Sequence, residues 1–432
     1  MNILFVHQNM PGQYRELIQW LAAQGGHELV FLTQRNPAPQ IAGVKSVVYK
    51  PHHVPTNDAY GLSKVWEEAT GAGFGAAMAA RQLERQEGFK PDLVLGHSGW
   101  GELLFFKEIW PDVPILGFFE YFYIRTGGMV GFDPEEPVSE HTPFLLHARN
   151  AVPFANIQTV DLGHVPTEWQ KNTFPDSFHD KFYTCHDGIR TDLLGPDPQA
   201  SLSLGRLGRS LTREDEVFTY MARNMERARG FHIFMRALPK ILEARPNARV
   251  VIIGGDDTSY GRKSGHPGGF RGEMEAEVGH LLDWDRVHFV GKVPYSSYCQ
   301  IVQLSRCHIA LTMPFVMSWS LLETMAMQAT VVSSDVASVR EAITHGETGL
   351  LVDFFDHGAL ADQVIDVLAN PAAYAHIGPA AQAHVVEKYD FLTRCLPEHI
   401  TRMNSLVPQA ARIEMPGEPF KTSGHPLYTG RG

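Results

Sequence analysis

Short apolar runs alternate with longer segments whose apolar residues recur every three or four positions, and this rhythm holds from the first residue to about residue 406. Residues 2–7 are almost wholly apolar and predict a strand. Residues 12–24 put Tyr14, Leu17, Ile18 and Leu21 on one stripe and predict a helix. Further strands are predicted at 28–33 and 47–50, then a helix at 72–86 whose Gly and Ala content permits close approach to its neighbours. Residues 92–96 (DLVLG) and 114–119 (PILGFF) have the continuous apolar character of strands buried on both faces. Residues 157–159 and 181–184 predict the last strands of the first half. Alternation of this kind builds a parallel sheet covered by helices.

The rhythm breaks twice. Residues 127–143, GGMVGFDPEEPVSEHTP, are rich in Pro, Gly and acid, and predict a long surface loop of the kind that often carries function. Residues 195–214, GPDPQASLSLGRLGRSLTRE, predict a domain boundary, because a fresh strand follows at 217–222. The alternation then restarts, with helices at 231–243, 273–282 and 296–304 and strands at 248–254, 287–290 and 309–313. Strands at 330–332 and 349–352 follow, then helices at 359–369, 372–388 and 392–406. The last 25 residues, from Pro408, lack periodicity and are expected to be extended or disordered. The expected domains are 1–200, 201–388, and a terminal helix and tail, 389–432, that returns to the first domain.

Bulk properties narrow the function. A chain of 432 residues with 44% hydrophobic and 20% charged residues is globular and too long for one ordinary core. A net charge of −11 argues against nucleic acid as a partner and against broad docking on anionic lipid. No apolar run approaches the ~20 residues of a membrane span, and the chain enters a strand at once, so neither a transmembrane segment nor a secretory signal is expected. Four cysteines without C-x-x-C spacing fit reduced thiols in the cytoplasm. Peripheral contact at the inner face of the membrane stays open. The 21 histidines show no H-E-x-x-H or comparable spacing, and no metal site is expected.

Two sheets of this type serve several chemistries. A dinucleotide site requires G-x-G-x-x-G after the first strand, whereas the first turn here is His7-Gln8-Asn9-Met10-Pro11-Gly12. The second half offers Gly254-Gly255-Asp256-Asp257, again without that fingerprint, and no P-loop sequence occurs. A dehydrogenase and a P-loop hydrolase are therefore disfavoured.

The most informative stretch runs from Leu311 to Asp356 and contains PFVMSWSLLE, a strand end leading into a helix that carries Glu323. A helix N-terminus after a strand presents unpaired N–H groups and a positive dipole end, which suit a phosphate. This stretch resembles the nucleotide-sugar half of a retaining GT-B glycosyltransferase of family four, close to a subgroup with the signature P-F-V-x-S-W-S-L-L-E. The resemblance extends from FVHQNMPGQYREL to EKYDF. It implies an α/β fold of two Rossmann-like, doubly wound parallel-sheet domains facing a cleft. It also implies transfer of a sugar from a nucleoside diphosphate to a hydroxyl of a glycan or lipid-linked acceptor.

Under that resemblance Glu323 holds the donor ribose, where by itself it reads as one residue of an amphipathic helix. Arg223 and Arg229, in ARNMERARGF, match the spacing of an Arg and a Lys that reach the donor phosphates; Arg229 stands in the place of the Lys. The family's paired carboxylates are half missing, since the first falls on Phe315. Ser318 and Ser320 stand at the expected helix N-terminus, where capping a helix and binding a phosphate use the same geometry. Gly12 closes the first turn, where a side chain would obstruct a diphosphate-sugar. His97 ends the DLVLG strand at the cleft-facing edge. Glu120, ending PILGFFE, aligns with the position where many relatives place a catalytic-region His or Asp. A metal-independent reaction is expected, with no cofactor beyond the nucleotide-sugar donor. UDP or GDP, the acceptor and the oligomeric state are left open, as are an epimerase or hydrolase on the same fold and a non-catalytic sugar-nucleotide-binding subunit.

Overall fold

A computed structural model describes residues 1–205, 208–260 and 263–415. The chain folds into two compact units. Met1–Val130, Pro137–Gly188 and the described chain from Phe391 onward form the first; Gly131–Glu136 and Ile189–Asp390 form the second. The chain thus leaves the first unit for six residues inside the predicted long loop. There Phe132 packs its ring 5.0 Å from those of Phe354 and Phe355 in the second unit.

The first unit is built on seven strands: β1 (Asn2–Val6), β2 (Glu28–Thr33), β3 (Val44–Val48), β4 (Leu93–His97), β5 (Ile115–Phe118), β6 (Leu162–Val165) and β7 (Phe182–Thr184). They run parallel in the order β3-β2-β1-β4-β5-β6-β7. The second unit opens with a small antiparallel pair, β8 (Ser201–Ser203) and β9 (Ser210–Thr212). Its main sheet comprises β10 (Val217–Asn224), β11 (Arg249–Gly255), β12 (Val287–Gly291), β13 (Cys307–Ala310), β14 (Val331–Ser334) and β15 (Leu350–Val352). These are parallel in the order β12-β11-β10-β13-β14-β15. Both sheets are doubly wound. Strand order reverses between β1 and β4 in one and between β10 and β13 in the other, and ligands bind such sheets at the carboxyl ends of those strands.

Burial follows the apolar pattern. Ile3, Leu4, Phe5 and Val6 of β1 are fully buried, as are Val250, Val251 and Ile252 of β11, because helices cover both faces. The helix Lys64–Glu87 shows why glycine and alanine fill its sequence. A Cβ at Gly71, Gly73 or Gly75 would lie 2.1, 2.4 or 2.2 Å from the carbonyl oxygens of His53, Gly101 and Lys50. Only a bare backbone fits there.

Two predicted elements are corrected. Residues 157–159 are not a strand; they finish the helix Ala151–Thr159, and the strand follows as β6. Val152, Pro153, Asn156 and Ile157 are its buried residues, a helical spacing that a three-residue apolar window cannot reveal. The last long helix starts at Leu396, not 392, after a π-turn over Phe391–Cys395, with Pro397 in its first turn, where a missing N–H costs nothing. Among the described residues no helix is long and apolar enough to cross a membrane.

Candidate functional site

The carboxyl end of the β1/β4 pair carries two histidines. His7 follows β1 and His97 ends β4; both rings are buried and their centroids are 5.3 Å apart. Each is held by the same local device: Nδ1 accepts the backbone N–H two residues on, from Asn9 at 2.8 Å and from Gly99 at 2.9 Å. An accepting Nδ1 leaves the proton of the neutral ring on Nε2. Burial, and then the neighbouring His97, push His7 down to about 3, so this ring is neutral at physiological pH.

The Nε2 of His97 faces Glu120 Oε2 at 3.6 Å, within ion-pair range and beyond a hydrogen bond. Glu120 follows β5, and its side chain keeps 39% of its exposure, while its carbonyl accepts Gln170 Nε2 at 2.7 Å. Asn156 donates to the carbonyl of Ser98 at 2.6 Å and fixes the turn after β4. The two residues singled out at strand ends, His97 and Glu120, therefore meet. Gly12 adopts φ +55°, and a Cβ there would lie 2.9 Å from the His7 ring, so the histidine itself demands the glycine.

Glu102 escaped the sequence analysis. It is fully buried, and its Oε1 accepts the N–H of Gln8 at 3.0 Å and the hydroxyl of Tyr49 at 3.1 Å. Burial raises its pKa, while His97 works against that shift. His7 stands at the start of the first turn with no motif of its own. The H-x-N and H-x-G spacings at the ends of apolar strands were the available signal for both histidines.

In the second unit the carboxyl end of β10 runs into the turn Arg227–Arg229. The turn is pinned from three sides. Tyr220 donates its hydroxyl to the carbonyl of Arg229 at 2.7 Å, Met313 donates its N–H to the carbonyl of Ala228 at 3.1 Å, and Gly230 donates to Arg227 at 2.8 Å. Gly230 has φ +65°, and a Cβ on it would strike the Leu311 side chain at 2.6 Å. The Arg229 guanidinium donates to Thr312 Oγ1 at 2.8 Å and lies 5.1 Å from the centre of the Tyr260 ring. Thr312 is itself held by Ser334 at the end of β14. Arg223 is exposed on β10.

Glu226, also unremarked in the sequence, is buried and accepts the N–H groups of Ser259 and Tyr260 at 3.1 and 2.8 Å. Burial raises its pKa against the pull of those bonds and of Arg229 and Arg223. Phe315, where the family places a carboxylate, packs its ring 5.2 Å from Tyr260. The helix Trp319–Ala326 begins just after Ser318, whose side chain makes no capping bond; its hydroxyl pairs with that of Ser320 at 2.7 Å. Glu323 on this helix is 8% exposed and accepts the Tyr295 hydroxyl at 2.9 Å. Thr312, Tyr260 and Tyr295 had no signal of their own, because their partners lie 28 to 83 residues away.

Among the described residues one cluster has metal-like spacing, Asp133, Glu135 and His232. Two guanidiniums already occupy its carboxylates: Arg227 and Arg236 bond Glu135, at 2.8 and 2.5 Å. Their charge opposes a cation and holds Glu135 down at about 2.

Residues 25–194 match the Glycosyl transferase family 4 group, and residues 208–384 match Glycosyl transferases group 1. The chain has a GT-B glycosyltransferase fold. Among solved structures it is similar to the sucrose-phosphate synthase of Thermosynechococcus elongatus, with a TM-score of 0.69 at 16% identity over 93% of this chain and 98% of that one. It is also similar to Anabaena HepE, solved with UDP and glucose, with a TM-score of 0.66 at 16% identity over 94% of this chain and 99% of that one. Identities this low carry the GT-B fold alone. In sequence, the phosphatidyl-myo-inositol mannosyltransferase of Mycobacterium leprae is 25% identical over 209 residues, 48% of this chain and 49% of that protein. The chain spans about half the length of the curated mannosyltransferases it matches. Arg229 and Glu323 lie in the segment that matches group 1, and His97 and Glu120 in the segment that matches the family 4 group.

Proposed function

We propose that this protein transfers a sugar from a nucleoside-diphosphate sugar to a hydroxyl of a glycan or lipid-linked acceptor, with retention of anomeric configuration. One observation carries the reading: the Arg229 guanidinium, braced by Thr312 and Tyr260, stands where strand order reverses between β10 and β13. A cation fixed at that point suits a diphosphate, on which negative charge grows as the glycosyl bond breaks. Arg223 and the helix beginning at Trp319, with Ser318 and Ser320, add positive potential from side chain and backbone. These fixed charges make a divalent metal unnecessary in this reading. Glu323, already a hydrogen-bond acceptor, takes the ribose hydroxyls.

In the first unit His97 and Glu120 form an acid–base pair suited to an acceptor hydroxyl or to positive charge at an anomeric carbon. The departing phosphate oxygen takes the acceptor proton as attack proceeds on the face the phosphate leaves. The likeness to a phosphatidyl-myo-inositol mannosyltransferase supports a lipid-linked acceptor. The place of action is the cytoplasm, with peripheral contact at the membrane where the acceptor is a lipid.

The test is to incubate the protein with UDP- and GDP-sugars and candidate acceptors, following nucleoside diphosphate release and the product's anomeric configuration by NMR. An α-linked product from an α-linked donor is expected. Inversion overturns the retaining mechanism. Free sugar or an epimer without transfer makes the chain a hydrolase or epimerase, and tight donor binding without turnover makes it a binding subunit.

A further inference from the structure

The first unit holds a cluster of histidine and cysteine side chains that the transfer reaction does not use. Cys185 follows β7 and donates its N–H to the carbonyl of Val165 at 3.0 Å. Its Sγ lies 3.4 Å from the carbonyl of His186, 3.8 Å from His399 Nε2 and 3.8 Å from the carbonyl of Cys395, which brings the two cysteines side by side. Cys395 and His399 are four residues apart, at the start of the helix Leu396–Leu406, so that one face of this turn presents both to Cys185.

His399 is itself oriented. Its Nδ1 pairs with the Tyr183 hydroxyl at 3.2 Å, its Nε2 with the carbonyl of His186 at 3.1 Å, and its ring packs 4.7 Å from that of His164. A cysteine that merely fills a core sits among aliphatic groups; this one sits beside an oriented imidazole and a second thiol. Cys185 is half-buried, open to a small oxidant, while Cys395 is buried.

We propose that Cys185 and Cys395 are an oxidisable dithiol, with Cys185 oxidised first by a peroxide and Cys395 closing the disulfide. The Cys185 thiolate displaces water from hydrogen peroxide, with one proton taken up, and becomes a sulfenic acid. The Cys395 sulfur then attacks that sulfur; an S–S bond forms, the S–O bond breaks and a second water leaves. Two thiols and one peroxide give one disulfide and two waters. His399 is a positioning residue that stabilises the thiolate.

The hydrogen bond with Cys395, and after it the His399 ring, draw the Cys185 thiol down to about 5 against the opposite push of burial. Cys299 and Cys307 are pushed the other way, to about 12, chiefly by burial, and serve as internal controls.

The experiment treats the fully reduced, full-length protein with one equivalent of hydrogen peroxide, blocks remaining thiols with a maleimide and maps peptides without reductant. A Cys185–Cys395 linked peptide that dithiothreitol resolves is expected, with Cys299 and Cys307 still alkylated. Cys395→Ser should stop at a Cys185 sulfenic acid that dimedone traps. The rate–pH midpoint of the native protein should lie below about 7, and His399→Gln should raise it toward the ~8.5 of an ordinary thiol. The proposal is overturned if Cys299 reacts before Cys185, or if Cys185 proceeds to sulfinic acid without linking. A midpoint unmoved by His399→Gln overturns the part given to the imidazole.

Discussion

The two strand-order reversals make opposite use of the same topology. At the first, β1 and β4 end in the buried rings of His7 and His97, with buried Glu102 behind them and Glu120 in front. These are imidazoles and carboxylates, the side chains of general acid–base chemistry. At the second, β10 and β13 lead to Arg229, Thr312, Ser318 and Ser320, a permanent cation and neutral hydroxyls. Parallel strands put their carboxyl ends and the following helix N-termini at one edge, so topology fixes where a ligand goes. It does not fix what the ligand is. The first edge suits proton chemistry, and the second suits holding an anion with a cation whose charge does not change with pH.

That contrast breaks most sharply at Glu120. Glu120→Gln keeps the shape and removes the charge, and turnover should fall by about 10²-fold or more while donor affinity barely moves. His97→Ala should be milder. Steady-state kinetics with calorimetry checks both; near-normal turnover in the Gln variant would leave Glu120 a loop residue and shift the role to His97.

The second edge should respond in the other quantity. Arg229→Ala and Glu323→Ala should each weaken nucleoside diphosphate binding by about 1–3 kcal/mol, the scale of lost charged hydrogen bonds. Titration calorimetry on variants with unchanged circular dichroism reads this directly, and unaltered affinity would remove the residue from the donor site.

Acid should separate the units. Burial pushes His7 and His186 down to about 3 and His164 well below its ordinary value. The unfolded chain takes protons on these rings below about pH 6.5 and the folded one does not. Stability of the first unit therefore falls as pH drops from about 6.5 toward 4, by on the order of 1 kcal/mol per pH unit for each ring. Raised Glu102 acts in the opposite sense in this range, and raised His399 does so above about 6.5. The second unit carries His308 at about 4 and a lowered His384. Hydrogen exchange should show β1, β4 and β7 losing protection before β10 and β11; the reverse order would contradict the contrast.

The smallest effect expected is none. A chelator should leave activity unchanged, since fixed cations stand at the diphosphate in this reading. Activity abolished by EDTA and restored by magnesium or manganese would show that the second edge needs a charge it does not carry.

The alternation of apolar runs and helical stripes determined the parallel sheets by itself, because burial on both faces forces continuous apolar strands that few other folds tolerate. It also drew attention to His97 and Glu120, at or just after strand ends, whereas Arg229 and Glu323 stood out only through the family resemblance. Short windows failed where two periods agree: residues 157–159 suit a strand or a helix, and only packing against the sheet made them helical. What the sequence could not contain was company. That Glu102 meets Tyr49 and the turn after β1, that Arg229 rests between Thr312 and Tyr260, and that Cys185 lies beside Cys395, 210 residues on, are contacts across long separations. Local spacing encodes which face a residue points to. Which residue it finds there is decided by strand order, and strand order exists only once the chain has folded.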